Sequence, residues 1–274
     1  MNAVALAYSY EPAPQPAPKP VHKPAHEPNP VAPSKLSVRV SELLDQVDCR
    51  LIQSDEEREA VGRLRYDAYL REGAIEPNPA QTFTDDYDDG KNVWTFGLYI
   101  DDELASSIRI HVASKDDPVF PSLSVFPDLL EPELEAGKTI VDPTRFVTNY
   151  ELSRRYPTLL YATLRLTCLA AEYFEADHLL AAVRAEHRAF YQRVFAHVPI
   201  CEPRSYPLLS KPIALMTAHY PLIKERMHRR FAFLQSTYFE RRMLFTRPAP
   251  LVPAVVPLSP YPAAEQLPLF AQAS

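Results

Sequence analysis

The sequence predicts a single α/β domain: a mixed sheet with a bulged central strand, flanked by helices. Three observations carry that expectation. From roughly Leu36 to Arg247, helical and strand-like stretches follow one another as helix, hairpin, interrupted strand, helix, strand, helix, strand, which suits a layered core of sheet and helices. Prolines crowd the two ends, with sixteen of the 29 in residues 1–33 and 248–274, and mark off one stretch of domain size between them. Finally, Pro143 interrupts an apolar run; a strand there must bulge or lie at an edge, because proline donates no ladder hydrogen bond.

Each element follows from local chemistry. Ser54 and Glu57 form a capping box, the serine accepting from a backbone N–H and the glutamate reaching back. It opens a helix to about Leu70 with Val61, Leu64, Ala68 and Tyr69 on one face, and Gly73 ends it. Gly73 to Gly90 is acidic and holds two prolines, so it reads as a loop. Val93–Ile100 and Leu104–Val112 have strand composition around an Asp101-Asp102 turn and make a hairpin. A connection from Ala113 to Lys138 leads to the interrupted strand, Thr139–Val147. Pro157 suits a first helical position, and apolar residues recur at helical spacing from Thr158 to Phe174, with Arg165 and Glu172 expected on the wet side. His178–Val183 reads as a strand, Glu186–Ala196 as a helix, Ile213–Met216 as a last strand and Pro221–Tyr238 as a basic helix.

The ends differ from this core. Glu11 to Pro33 is a Pro/Ala run with too few apolar side chains to bury, so residues 1–35 read as a disordered arm with polyproline II character. Residues 248–274 form a second Pro-rich tail, richer in Leu and Val but without helical or strand period. The formal charge of −6 argues against general nucleic-acid binding. Locally the balance reverses: between Lys224 and Arg247 seven Lys/Arg face only Glu225 and Glu240. Cys49, Cys168 and Cys201 are widely spaced and odd in number, as in a reducing compartment, and no C-x-x-C pair suggests zinc. Neither a signal-peptide pattern at Met1–Tyr10 nor an apolar stretch of ~20 residues is present, so a cytoplasmic chain with no integral membrane segment is expected.

A series of polar residues carries the chemistry. Arg65-Tyr-Asp-Ala-Tyr69 lies on the first helix, a D-x-x-D pair of Asp85 and Asp88 in the acidic loop, and Arg109 on the second hairpin strand. Asp142 and Arg145, followed by Phe146, lie on the interrupted strand, with Val183-Arg-Ala-Glu-His-Arg-Ala-Phe-Tyr191 and Arg204-Ser-Tyr-Pro207 beyond. In this order and local context, the chain resembles the N-acyl amino acid synthases and their relatives, the acyl-homoserine-lactone autoinducer synthases, over about Leu51 to Ala218. The resemblance implies an N-acetyltransferase-like fold. The acid on the interrupted strand is usually glutamate in these families; here Asp142 is one methylene shorter, while Glu151-Leu-Ser-Arg154 repeats the E-x-S-R lettering further on. Asp142 and Arg145 are preferred because Ile140-Val141 and Phe146-Val147 give them an apolar strand context.

The implied activity is an N-acyltransferase joining a long-chain fatty acyl group to the amine of an amino acid. The amine must be neutral to attack, so a carboxylate must take its proton; Asp142 is the first candidate and Glu151 the second. Backbone N–H groups freed by a bulge near Pro143 would serve the oxyanion. The acceptor's carboxylate calls for an arginine fork, Arg109 or Arg145. Arg65, Tyr69, Asp85 and Asp88 complete the substrate-binding set, the aspartates either orienting the ammonium group or bracing the arginines. The chain has five glycines, none after Gly137, whereas coenzyme A enzymes of this fold commonly hold pyrophosphate in a Gly-containing loop. The expected donor is therefore the acyl-phosphopantetheine of acyl carrier protein, with no permanently bound cofactor and no metal. Such a carrier is acidic and would meet Arg154 and Arg155, or Arg226, Arg229 and Arg230. Phe120, Phe126, Phe146 and Leu164 are candidates for the acyl slot. Two other functions remain open: a homoserine-lactone synthase using S-adenosylmethionine, and a non-catalytic scaffold whose Pro-rich arms recruit partners.

Overall fold

The computed structural model describes residues 34–207 and 209–247; the Pro-rich arm up to residue 33 and the 248–274 tail lie outside the described residues. In chain order the first elements are α1 (Lys35–Leu44), β1 (Asp48–Leu51), α2 (Asp55–Arg71), β2 (Val93–Ile100), β3 (Glu103–Ala113), α3 (Pro127–Glu135), β4 (Ile140–Thr148) and α4 (Tyr150–Arg155). They continue with α5 (Leu159–Tyr173), β5 (His178–Val183), α6 (Arg188–Phe195), β6 (Val198–Pro199), β7 (Ala214–His219), α7 (Tyr220–Arg230) and α8 (Tyr238–Phe245). The strands form one mixed sheet in the order β1-β2-β3-β4-β5-β7-β6. Among the described residues its single parallel pair is β4 with β5. The α/β class expected from the sequence is what the chain adopts.

Strand alternation sorts the sheet into two unlike faces. Ile140 and Leu180 belong to one apolar cluster and their neighbours Val141 and Leu179 to another; successive strand residues point oppositely, so the clusters lie on opposite faces. The larger cluster packs under α5, with α1, α7 and α8 around it. The smaller lies beneath α3, where Phe120, Phe126, Leu130 and Leu134 meet Ile213 and Leu215. On β3, Ile108 and Ile110 alternate with the buried polar residues Ser107, Arg109 and His111. One face of the sheet centre is thus polar and needs partners from outside the sheet.

Several expectations about elements are corrected. The Pro221–Tyr238 helix is two: α7 ends at Arg230, a 3₁₀ turn follows at Ala232–Leu234, and Thr237 caps α8 by accepting from the Glu240 N–H at 3.0 Å. These two helices cover α5 on its second side, so Arg165 and Glu172 are not on a wet face. Arg165 donates to the carbonyls of Phe233 (2.6 Å) and Gln235 (2.9 Å) and pairs with Glu240. Glu172 receives Arg241 at 2.9 Å and His228 at 2.8 Å. Pro157 lies in the turn before α5 rather than within its first turn. Inside the Ala113–Lys138 connection, Pro127 starts α3. No helix among the described residues is long and apolar enough to cross a membrane.

The hairpin depends on two special backbone positions. Asp101 and Asp102 both have positive φ (50° and 62°), the conformation that a two-residue turn needs to match the strand twist. Gly97 sits where a Cβ would come within 2.8 Å of the Tyr99 ring and 3.0 Å of Ile52 and Leu104. Gly97→Ala is therefore expected to cost about 1–3 kcal/mol through overpacking, read as a lower urea midpoint with unchanged slope; an unshifted midpoint would show that the neighbours give way freely.

Candidate active site

The polar face of the sheet builds the site. Arg109 pairs across the strands with Thr144, and His111 with Asp142, so these side chains share one face. Helix α2 lies over it, held at its start by the Ser54–Glu57 capping box, and adds Arg65 and Tyr69. The acidic loop closes the arrangement as a 3₁₀ turn, Asp86–Asp89, in which Asp85 accepts from the Tyr87 N–H (3.1 Å) and Asp88 from the Asp85 N–H (3.1 Å). The same two aspartates then face three arginines.

Asp88 bonds Arg65 Nη1 (2.8 Å) and Arg109 Nη1 (2.9 Å), and Asp85 bonds Arg109 and Arg145. Arg109 is 0 % exposed, and Nε goes to Thr144 Oγ1 at 3.0 Å. Three guanidinium groups against two carboxylates leave one surplus positive charge, and Arg65 Nε and Nη2 have no partner among the described residues. Burial alone would raise the aspartate carboxyls, but hydrogen bonds and charge from the arginines outweigh it: Asp85, between Arg109 and Arg145, and Asp88, beside Arg65 and Arg109, both lie below the ordinary carboxylate range. Burial, helped by the Arg109 charge, pushes His111 down to about 3; it is neutral and donates from Nε2 to the Tyr87 carbonyl at 3.1 Å.

Strand β4 bulges, though not at Pro143. Ser107 faces Val147 and Arg109 faces Thr144, so Ile108 stands opposite both Arg145 and Phe146. Pro143 keeps its place opposite Ile110. Arg145 takes a positive φ of 52°, a strain of about 1–3 kcal/mol for a non-glycine residue. Its ion pair with Asp85 and its stacking over Phe83 (4.5 Å) and Tyr69 (5.7 Å) hold it there. On the other side, β5 pairs with β4 only at Ile140 and Val141. The strands part from Asp142 onward, baring that edge of β4.

Asp142 stands at the point of parting. Its carboxyl is 0 % exposed and accepts from the Ser122 hydroxyl (2.8 Å) and the Ser122 N–H (3.1 Å). Burial pushes it up to about 6, the serine bonds opposing that rise. Half-buried Tyr206 lies close enough to feel the charges of Asp142, Arg145, Arg109 and Asp85, and burial raises its phenol. Sequence reasoning missed Tyr206, Ser122 and His111 as members of this group. The polar alternation of Ser107, Arg109 and His111 was a usable signal for the histidine, and Arg204-Ser-Tyr-Pro207 for Tyr206; nothing local marks Ser122.

Other expected site residues fall elsewhere. Arg109 has no free fork, because all its nitrogens are engaged; Arg145 commits Nε and Nη2 to Asp85 and leaves Nη1 uncommitted among the described residues. Glu151 is exposed in the first turn of α4, its N–H capped by Asn149, apart from the charge network. The four acyl-slot candidates do not form one slot: Phe120 and Phe126 belong to the smaller cluster, Leu164 and Phe146 to the larger one across the sheet. Arg154 and Arg155 are exposed on α4, and Arg226, Arg229 and Arg230 on α7, as two separate groups. An open groove of about 1030 Å³ runs past Arg65, Asp55, Arg58, Trp94 and Arg247, on the β2 side of the network; neither Asp142 nor Arg145 lines it.

The family model for the N-acyl amino acid synthase FeeM matches residues 60–219, more than half of the chain and the span from α2 to β7 that holds the network. Among solved structures, FeeM, an N-acyl amino acid synthase from uncultured soil microbes, is 19% identical with a TM-score of 0.56, over 67% of this chain and 96% of that one. The AHL synthase LasI is 13% identical (TM-score 0.49, 62% and 89% covered), and an acyl-CoA N-acyltransferase from Pseudomonas aeruginosa 16% identical (TM-score 0.43, 62% and 97% covered). No curated protein sequence matches. The likeness to FeeM shows the fold, which is N-acetyltransferase-like as expected.

The raised carboxyl of Asp142 makes a signed prediction. A folded value of about 6 against 3.8 means that the folded chain holds the proton more tightly, so stability falls as pH rises through that window and is level above it. Relative to Asp142→Asn, the wild type should lose roughly 3 kcal/mol between those limits, measured by urea unfolding across pH. A difference that does not change with pH would mean that the carboxyl titrates normally.

Proposed function

The chain belongs to the N-acyl amino acid synthase FeeM family and is an N-acyltransferase, and on that footing we propose that it joins a long-chain fatty acyl group, delivered by acyl carrier protein, to the amine of an amino acid. The observation that carries this reading is the parting of β4 from β5 immediately before Asp142. A thioester lying in that opening meets the bare edge of β4, whose N–H groups polarise the carbonyl and receive the oxyanion; one such donor is worth about 3 kcal/mol of barrier. The amine nitrogen bonds to the acyl carbon, the C–S bond breaks, and the thiol leaves with a proton.

Asp142 takes the proton that the ammonium group must lose before attack. A carboxyl near 6 suits a base working close to neutrality. Because it is enclosed with Ser122, a water or the Tyr206 hydroxyl carries the proton to it. Arg145 offers the acceptor's carboxylate a single charged contact through its uncommitted Nη1 rather than a two-nitrogen fork. Asp85 and Asp88 are engaged by arginines, so they brace the site rather than hold the ammonium group. Phe120 and Phe126 flank Ser122 in sequence, which makes their cluster the nearest apolar region for the acyl chain.

The donor side follows from α5. Thr158 at its start makes no side-chain cap; the Leu159 and Tyr161 N–H groups bond the Tyr156 and Thr158 carbonyls, and the Leu160 N–H between them would meet the single phosphate of a phosphopantetheine arm. Exposed Arg154 and Arg155 stand just before it and would face an acidic carrier. The full-length chain, given acyl carrier protein loaded with a long acyl group and a mixture of amino acids, should yield N-acyl amino acids by mass spectrometry. Free acyl-coenzyme A serving equally well would remove the carrier, and an acyl-homoserine lactone formed from S-adenosylmethionine would replace the acceptor.

Two variants sharpen the roles. Asp142→Asn should lower kcat at least about tenfold with the fold retained; an unchanged kcat would move the base elsewhere. Carrier KM should rise with salt, since exposed charges are screened beyond about 8–10 Å at ordinary ionic strength, and Arg154→Gln/Arg155→Gln should flatten that rise. A salt-independent KM would discard electrostatic docking.

A further inference from the structure

Helix α8 presents an unusual outer surface. Tyr238, Phe239 and Met243 are 66%, 71% and 68% exposed, and Arg242 is exposed among them. At 3.6 residues per turn these four share an arc of roughly 140°, while Phe245 and Arg241 turn inward. Among the described residues no acid offsets the arginine on this face: Glu240, the helix's single carboxylate, is drawn inward to Arg165 at 2.5 Å. The helix is also firmly seated, because Glu172 on α5 binds both His228 of α7 and Arg241 of α8. On α7, exposed Arg226, Arg229 and Arg230 face only Glu225, which pairs with Arg229 at 3.5 Å.

We propose that the outer face of α8, formed by Tyr238, Phe239, Arg242 and Met243, docks on an anionic lipid bilayer. Two large apolar side chains and a tyrosine around a central arginine match the headgroup boundary, where rings and thioether enter the acyl region and the guanidinium stays with lipid phosphates. The chain carries −6 overall, yet this end is basic, so a negative surface orients it with α7 and α8 inward. Position argues against a carrier protein here: α8 lies over the middle and far end of α5, through Arg165 with Glu240 and Tyr173 and Phe174 with Phe245, away from Thr158. A symmetric contact between two copies would bring Arg242 toward its own counterpart, like charge against like charge. Docking stands on this surface alone and goes beyond the acyl-transfer reading.

The test is co-sedimentation of the purified full-length chain with vesicles of phosphatidylcholine alone or mixed with phosphatidylglycerol. The wild type should pellet with the mixed vesicles, far less with phosphatidylcholine alone, and less as salt rises. Phe239→Ser/Met243→Ser should weaken partition at least about tenfold, and Arg242→Gln about fivefold on the mixed vesicles only. Both variants should keep wild-type circular dichroism, because the replaced side chains face water. A wild type that stays in the supernatant, or a double variant that pellets as well as the wild type, overturns the proposal. So does a wild-type dimer by light scattering that Phe239→Ser/Met243→Ser makes monomeric, which would assign the face to self-association, or loss of carrier binding in that variant without loss of vesicle binding.

Discussion

The structure turns on the pairing of two aspartates from one short turn with three buried arginines from three different elements. Arg65 comes from α2, Arg109 from β3 and Arg145 from β4, and Asp85 and Asp88 hold them together. Removing one partner from such a buried group leaves charge uncompensated, a loss of about 3–5 kcal/mol. The dependence therefore runs in one direction, from a folded turn to a fixed network, from the network to a strained Arg145, and from Arg145 to a bulged β4.

Acid groups within one small region behave differently because their neighbours differ. Asp85 is held ionised by two arginines, whereas Asp142, a strand away and bonded only to Ser122, is raised by burial toward neutrality. His111, opposite Asp142 in the ladder, is depressed and neutral. Charge is thus kept where it binds, and an exchangeable proton where the strands part. This separation follows from packing alone: arginines reach the turn, and none reaches the Asp142 oxygens.

Legibility in the sequence followed the range of the interactions. The Ser54 capping box, the β2–β3 hairpin and β5 could be read because their signals are local in the chain. The members of the network were readable through the family pattern, but its connectivity was not: Arg109 was expected to offer a free fork, and the structure fills every one of its nitrogens. The bulge was sought at Pro143, the visible anomaly, and lies at Arg145, where positive φ is imposed by partners more than fifty residues distant in sequence. Arg165 and Glu172 misled for a related reason. Their helix is covered by α7 and α8, and charged residues read as solvent-facing until the elements that bury them are known. Thr237 followed by Glu240 was a usable helix-start signal that a single basic run concealed.

The segment that carries Tyr206 is fastened in a manner unlike the rest of the site. Arg204 grips Asp128 on α3 at 2.5 and 2.8 Å, and Ser210 bonds the carbonyls of Gly73 and Ala74 just past α2. These are surface tethers, and beside them the Arg204 N–H bonds the Ile213 carbonyl at 2.8 Å and the Ile213 N–H bonds the Arg204 carbonyl at 2.9 Å. Tyr206 and Leu209 between these ties also pack against the smaller apolar cluster. Where the Tyr206 ring stands beside the buried acid is thereby set from outside the strand that bears Asp142, by the ends of two helices.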